Sequence, residues 1–249
     1  MEAGEYRALF GMEDSHWWYV GLHELVLAWG RRLAAERGEP LRILDAGCGT
    51  GGLSARLSLG ETFSFDRAAE AMPFLSRRGL RRCVRASVSE IPFASGAFDL
   101  VVSLDVLCHA AVRDVRAALL ETSRVLKPGG VIILNLPAYE SMRSRHDLAV
   151  HNVRRYRRGD LREALQAAGF RPRVLTYRNT LLFPVAAAVR CLQRLRGTPP
   201  GRPESDLRPL PALVNRALAA VLRLENWLVL RGASLPFGLS VFAIGEKCA

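Results

Sequence analysis

The sequence predicts an α/β protein built on a doubly wound, largely parallel sheet. Three observations predict it. Short apolar runs of strand length alternate with helix-like segments over residues 39–179. The first run, Leu41 to Leu44, opens into a glycine-rich turn, Asp45-Ala46-Gly47-Cys48-Gly49-Thr50-Gly51-Gly52. The next apolar run ends on an acidic residue, Asp66, nineteen residues after Gly47. A glycine turn between a first strand and a first helix offers bare backbone amides to a ligand. An acid at that distance suits the two hydroxyls of a ribose. A nucleoside-containing cofactor is therefore expected at this edge of the sheet.

The remaining elements follow in order. Residues 1 to about 38 read as helical, with Leu22, Leu25, Val26, Trp29 and Leu33 spaced along one helix face behind His16-Trp17-Trp18-Tyr19. Leu53 to Leu59 reads as the helix after the glycine turn. Phe98 to Ser103 reads as a buried fourth strand, and Glu121 to Val125 ends a helix. Leu126 to Gly130 reads as a turn before a fifth strand at Val131 to Asn135. Gly169-Phe170 closes another helix, and Arg173 to Tyr177 reads as the sixth strand. Thr180 to Leu195 is an apolar helix containing Pro184. Gly197 to Pro211 is a linker rich in Pro and Gly, and Leu213 to Leu230 is a further helix. Leu239 to Ile244 is the final strand.

The glycines leave the cofactor open, because Gly47, Gly49 and Gly52 also fit the dinucleotide spacing. The order of later motifs decides better. DAGCGTG at 45–51, Asp66, Ile91-Pro92-Phe93, FDLVVS at 98–103 and RVLKPGG at 124–130 together resemble the class I S-adenosylmethionine-dependent methyltransferases, with a type 11-like methyltransferase domain. The resemblance covers about Arg42 to Asn135. It implies a doubly wound, Rossmann-like, seven-stranded sheet whose last strand is antiparallel. An N-terminal helical cap and a helical insertion before the last strand would complete the fold. The corresponding division is 1–38 cap, 39–179 methyltransferase core, 180–231 insertion and 232–249 last strand of the core.

Carried over position by position, the resemblance implies S-adenosyl-L-methionine as cofactor and S-adenosyl-L-homocysteine as product. Asp45, Gly47, Cys48 and Gly49 would line the methionine end. Asp66 would bind the ribose, with Arg67 beside it. Ser87 stands where such sequences usually carry an Asp for the adenine amino group, so adenine contact would rest on Ser87 and the backbone at Val88. Ser103 and Leu104 would lie near the reactive methyl. Trp17, Trp18 and Tyr19 offer aromatic faces for a sulfonium cation, with Trp18 as the cofactor contact. HWWY, Arg155-Tyr156, Leu182-Phe183-Pro184 and LPFGLS at 235–240 resemble one bacterial subgroup, whose members often lie among genes for natural products or surface saccharides.

Composition sets further bounds. At 249 residues with 49% hydrophobic content, the chain suits one large α/β domain with additions. There is no run of eighteen uncharged apolar residues, so no spanning helix is expected, and the polar, acidic start is not a secretory signal. The five cysteines are scattered without metal-site spacing, so no metal is expected and a cytoplasmic location is. The net charge is +11, and apart from Lys127 and Lys247 every basic residue is arginine. This bias runs through the whole chain and lacks an RNA-binding aromatic signature, so nucleic acid is disfavoured as substrate.

Candidate proton acceptors are few, because the chain has five histidines. His151 is the preferred base, paired four residues away with Asp147 on one helix face. His109, just past the fourth strand, is a second candidate, and Tyr139 a candidate pocket wall. His16 is expected to cap or pack. The Leu213–Leu230 helix is expected to pack on its own core, with homodimerisation, pocket covering and membrane contact as alternatives. The sequence therefore reads as a methyltransferase acting on an oxygen or nitrogen of a small molecule or peptide in bacterial specialised metabolism. Alternatives are a methyltransferase for a lipid-linked or cell-surface saccharide and a cofactor-binding protein without catalysis. A nicotinamide dehydrogenase would need a Tyr-x-x-x-Lys or similar pair, which the two lysines do not provide.

Overall fold

A computed structural model describes residues 3–195 and 209–248; most of the expected 197–211 linker lies outside them. Seven strands form one sheet: β1 (Leu41–Ala46), β2 (Gly60–Asp66), β3 (Cys83–Arg85), β4 (Phe98–Leu104), β5 (Leu126–Pro137), β6 (Phe170–Arg178) and β7 (Ser240–Lys247). Their order is β3-β2-β1-β4-β5-β7-β6. β7 runs antiparallel to both β5 and β6, while the other pairs are parallel. The order reverses between β1 and β4, so a crevice opens beyond their carboxyl ends, where ligands bind in open α/β sheets.

Helices cover both faces. On one face α4 (Val115–Val125) and α6 (Arg158–Ala167) bring Ala118, Leu119, Leu161 and Leu165 onto Leu44, Val101, Leu134 and Ala243. On the other, α2 (Trp17–Arg37) and α8 (Ala212–Leu230) bring Leu22, Leu25, Val26 and Val229 onto Ile43, Leu100, Val102 and Phe242. Odd and even positions of the central strands are thus both buried, which is why these strands read as continuous apolar runs. Shorter helices complete the chain: α1 (Ala3–Met12), α3 (Met72–Arg77), α5 (Arg145–Ala149) and α7 (Phe183–Leu195).

Three segments depart from the expected reading. The helix expected at 53–59 is a single 3-10 turn at Ser54–Arg56. Seven α-helical residues would advance only about 10 Å, whereas the six-residue strand to be recrossed is roughly 20 Å long. The turn expected at 126–130 belongs to β5, with a register shift against β4 between Phe98 and Leu100. The helix expected from Thr180 begins at Phe183, which puts Pro184 in the first turn, where its missing N–H costs nothing.

Asp99 ties the amino ends of these layers together. It is buried and accepts from the Arg42 amide at 2.9 Å, Lys127 Nζ at 2.8 Å and Arg37 Nη1 at 3.2 Å. Burial opposes its ionisation. The Lys127 bond, the Arg42 amide and the Lys127 and Arg37 charges outweigh it and hold the carboxyl below its usual value. We predict that Asp99→Asn lowers unfolding free energy at pH 7 by roughly 2 kcal/mol, read by urea denaturation. Because the folded pKa is depressed, this stabilisation is complete above an unfolded pKa of about 4. It fades as pH falls through the folded value, so mutant and wild type should converge in acid.

Candidate active site

The glycine turn curls over the carboxyl end of β2. The amides of Gly47 and Cys48 both donate to the Phe65 carbonyl at 2.9 Å, and the Gly49 amide donates to Asp66 Oδ2 at 2.9 Å. Gly47 has φ 85°, and a Cβ there would stand 2.4 Å from the Val106 side chain. Only glycine supplies both the conformation and the clearance. Asp66 also accepts the Ala68 amide at 2.9 Å and the Tyr6 hydroxyl at 3.4 Å. The carboxylate is therefore fixed in place from within the protein.

Glu13, in the turn between α1 and α2, grips the same loop. It accepts from the Thr50 hydroxyl, from the Gly52 amide at 3.2 Å and from Arg78 Nη2 at 2.7 Å. Burial pushes its carboxyl up, and the Thr50 and Arg78 bonds only partly offset this. The sequence reading missed Glu13. Its one signal, an acidic pair three residues before His16, does not say which loop the acid meets.

The loop, the two N-terminal helices and the start of the insertion enclose a cavity of about 1210 Å³. Asp45, Gly47, Cys48, Gly49, Asp66, Arg67, Ser87, Val88, Leu104 and Trp18 all line it, as do His109 and His151. Burial, with Glu13 and Asp66 nearby, pushes Asp45 up to about 7 although the Ser54 hydroxyl donates to it. The Ser87 hydroxyl oxygen accepts the Ser89 amide at 3.2 Å and retains an O–H donor of its own. Trp17, Trp18 and Tyr19 form part of the wall. His16 caps their helix, its Nδ1 accepting the Trp18 amide at 3.4 Å.

Ser103, Tyr139 and the Asp147–His151 pair are placed otherwise than expected. Ser103 is buried and does not line the cavity; strand alternation points it to the same side as Val101, away from Leu104. Tyr139 does not line the cavity either. Its backbone turns left-handed at φ 55°, and its ring stacks on Tyr177 at 5.1 Å and meets Phe183 edge-on at 5.8 Å. Pro137 and Met142 form that part of the wall. Asp147 does not orient His151. Arg155 takes the buried carboxylate in a forked contact at 3.1 and 2.9 Å, and α5 ends at Ala149. A bidentate guanidinium is a stronger partner than an imidazole.

His151, at φ 57°, instead lies beside His109, with ring centroids 5.7 Å apart. The Ala111 amide donates to His109 Nδ1 at 3.0 Å. Burial, with His151 and Arg67 nearby, pushes His109 down to about 4. It is therefore neutral near pH 7 and carries its proton on Nε2, which makes it a donor rather than a base.

A further acid lines the cavity and was absent from the sequence reading. Asp105 follows β4 with φ 56°. Asn135 Nδ2 donates to both of its oxygens, at 3.1 and 3.2 Å, and the Asp105 amide donates to the Asn135 carbonyl at 2.8 Å. Burial pushes the carboxyl up to about 7, against the Asn135 bond and the charges of Arg178 and Arg155. A non-glycine residue in this region of backbone space is strained, and the Asn135 contacts hold it there. Its signal was its position, the first residue past the fourth strand.

These residues fit a sulfonium nucleoside. Gly47 and Gly49 keep Cβ atoms out of the loop that Asp66 borders. A carboxylate has about four acceptor positions; the Gly49 and Ala68 amides and the Tyr6 hydroxyl occupy three, and Asp66 keeps one for a ribose hydroxyl. Glu13, Asp45 and Asp105, with the rings of Trp18 and Tyr19, give the wall an acidic and aromatic character, which suits a cation. Among the described residues no cluster of His, Cys, Asp or Glu is arranged for a metal ion.

Residues 44–134 match the family described as a methyltransferase domain. Over that stretch the chain is similar to S-adenosylmethionine-dependent methyltransferases. It is 33% identical over 159 residues to the malonyl-[acyl-carrier protein] O-methyltransferase of Geobacter sulfurreducens, covering 56% of this chain and 59% of that protein. It is also 33% identical over 162 residues to the enzyme of that name from Enterobacter lignolyticus, covering 63% of each. The chain thus spans about three-fifths of the length of these curated relatives. In fold it is similar to an S-adenosylmethionine-dependent methyltransferase, possible histamine N-methyltransferase, from Thermotoga maritima. That match has TM-score 0.57 and 18% identity, and covers 98% of this chain and 95% of the other. The methyltransferase family uses S-adenosylmethionine.

Two variants test the cofactor site by calorimetric titration of S-adenosylhomocysteine. Asp66→Ala should weaken binding about 100-fold or more, since bonds to a charged group contribute roughly 1.5–3 kcal/mol each. Glu13→Ala should weaken it about 10-fold and lower Tm, because the loop then loses a partner for Thr50, Gly52 and Arg78. Unchanged affinity in a folded Asp66→Ala protein would remove the ribose from this carboxylate.

Proposed function

We propose that this protein transfers the methyl group of S-adenosylmethionine to an oxygen or nitrogen of a small molecule or peptide. The observation that carries this reading is a single cavity. The glycine loop and Asp66 line it together with Asp105, His109 and His151 and the rings of Trp17, Trp18 and Tyr19. The bound cofactor supplies an activated sulfonium methyl group. The protein has to orient the acceptor, exclude water and take a proton.

Asp105 takes the proton from the acceptor. Its carboxyl, pushed up to about 7, is matched to a working pH near neutrality. Asn135 orients it, and Arg178, fully buried behind Asn135, steadies its charged form. His109 offers its Nε2 proton to the acceptor atom, and His151 lies beside it. Trp17, Trp18 and Tyr19 shield the site from water. Asp45, Cys48 and Gly49 hold the methionine end of the cofactor, and Ser87 and Val88 the adenine.

A role in bacterial specialised metabolism rests on the resemblance of the outer shell to one methyltransferase subgroup. A reducing cytoplasm is supported by five unpaired cysteines, two of them exposed. Among the described residues no helix is long and apolar enough to cross a membrane.

The test is a panel of hydroxyl, carboxylate and amine acceptors, with S-adenosylhomocysteine release as readout. For a hydroxyl acceptor the rate should rise with pH through about 7 as Asp105 loses its proton. Asp105→Asn should lower kcat about 10²- to 10⁴-fold, remove that limb of the profile and leave S-adenosylhomocysteine binding intact. A flat profile with wild-type kcat would take the proton-accepting role away from Asp105. Tight cofactor binding with no turnover on any acceptor would favour a binding protein.

A further inference from the structure

The helical insertion contributes a further stretch of the cavity lining, here called its arm. α8 is fixed to the body at several points. Asn215 accepts the Trp17 amide at 2.9 Å and donates to the Ser15 carbonyl at 2.8 Å. Asn226 donates to the Gly21 carbonyl at 2.7 Å, and Arg223 pairs with Glu24 at 2.8 Å. Leu222 packs so closely that a Cβ on Gly21 would lie 2.7 Å from it. Glu225 then accepts the amides of Asn179 and Leu181, each at 2.7 Å, and so holds the segment that leads into α7. These contacts fix α8 and the segment that precedes α7 to the body of the protein.

The arm is lined mainly by aliphatic side chains, with Arg190 of α7 beside them. Leu182, Val185 and Ala186 line it from the α7 side, and Leu210 and Leu218 from the α8 side. Its mouth is apolar as well: Val185 lines the cavity yet is 67% exposed, and Leu210 does so at 38%. Val189 and Leu213 stand exposed on the same two helices. Exposed aliphatic side chains that line a cavity mark a place where an apolar ligand enters. The total volume also exceeds the roughly 300–1,000 Å³ of a site for one drug-sized ligand, which leaves room for an acceptor beside the cofactor.

We propose that this arm binds a linear alkyl or acyl chain of the methyl acceptor, with the acceptor's polar end at Asp105. The placement of the polar end rests on the methyltransferase reading; the chain site stands on the arm itself. Acceptors are then amphiphiles with a small nucleophilic head and a chain that runs out between α7 and α8. Leu, Val and Ala walls give such a chain contact without selecting a fixed shape. Each methylene buried adds a regular increment of affinity.

The experiment is quenching of tryptophan fluorescence by 12-bromododecan-1-ol, below its aggregation concentration, in protein saturated with S-adenosylhomocysteine. Trp17 and Trp18 line the cavity and report on the chain. Saturable quenching is expected, and dodecan-1-ol should compete for it. Shortening the competing alcohol by two methylenes should weaken it roughly 10-fold. Ala186→Trp, which fills the arm, and Val185→Asp, which charges its mouth, should each weaken binding at least 10-fold while S-adenosylhomocysteine binds as before. Val185 is mostly exposed, so that variant should fold normally. Non-saturable quenching, equal competition by hexan-1-ol and dodecan-1-ol, wild-type binding in both variants, or a mouth closed by a second copy in sedimentation would each overturn the proposal. Loss of S-adenosylhomocysteine binding in the wild type with saturable chain binding would instead overturn the methyltransferase reading and leave the chain site standing.

Discussion

A buried carboxylate at Glu13 holds the N-terminal helices to the glycine loop, and the roof of the cavity depends on it. Its oxygens take a hydroxyl, a backbone amide and a guanidinium from one stretch of loop and the helix beyond it. Each donor would otherwise face a poor environment, because Glu13 and Thr50 are almost wholly buried. Removing one side of such a contact leaves the other unpaired, which costs far more than the pair contributes as a net gain. The rings of Trp17, Trp18 and Tyr19 begin four residues later in the chain, so the same contact that shapes the loop also sets where the roof lies. Glycine loop and aromatic wall are therefore one mechanical unit.

The cavity gathers acids that burial makes reluctant to ionise. Asp45 and Asp105 are both pushed up to about 7, and Glu13 is raised as well. Folding such groups inward is unfavourable unless something compensates for it. Ser54 compensates in part at Asp45, and Asn135 at Asp105. A cationic ligand would compensate further, so the electrostatics that disfavour the empty wall favour a sulfonium in it. The same reluctance gives Asp105 a proton affinity useful near neutral pH. Its strained backbone is kept by Asn135, which also receives Arg178 Nη1 at 3.5 Å. One asparagine thus connects the site to the deepest cation of the fold.

Much of the frame was legible. The strands of the sheet read as apolar runs because helices bury them on both faces, and the glycine turn and Asp66 read as a ligand edge because their spacing is local. Motif order then separated one nucleoside-binding class from another. Legibility failed where partners come from afar. Tyr139 looked like a pocket wall by its place after β5, yet a left-handed turn sends its ring to Tyr177. Asp147 and His151 have helix-pair spacing, yet Arg155 takes the carboxylate and the helix ends between them. The 53–59 segment has helical composition, but a seven-residue helix would be too short for the return to the start of β2, and a single 3-10 turn forms instead.

By itself the sequence determined the layered α/β frame, the antiparallel last strand and the position of the cofactor edge. The frame and the ligand edge follow from periodicity, turn chemistry and the order of short motifs, which act over a few residues; the antiparallel last strand follows from the family resemblance that those motifs carry. Only the tertiary structure decided which side chains face one another across the cavity. Glu13 on the loop, Asn135 on Asp105, Arg155 on Asp147 and α8 on α2 join residues that are between 8 and about 200 positions apart. Such pairings are chosen by competition among all buried donors and acceptors at once, and no local pattern in the chain encodes the outcome.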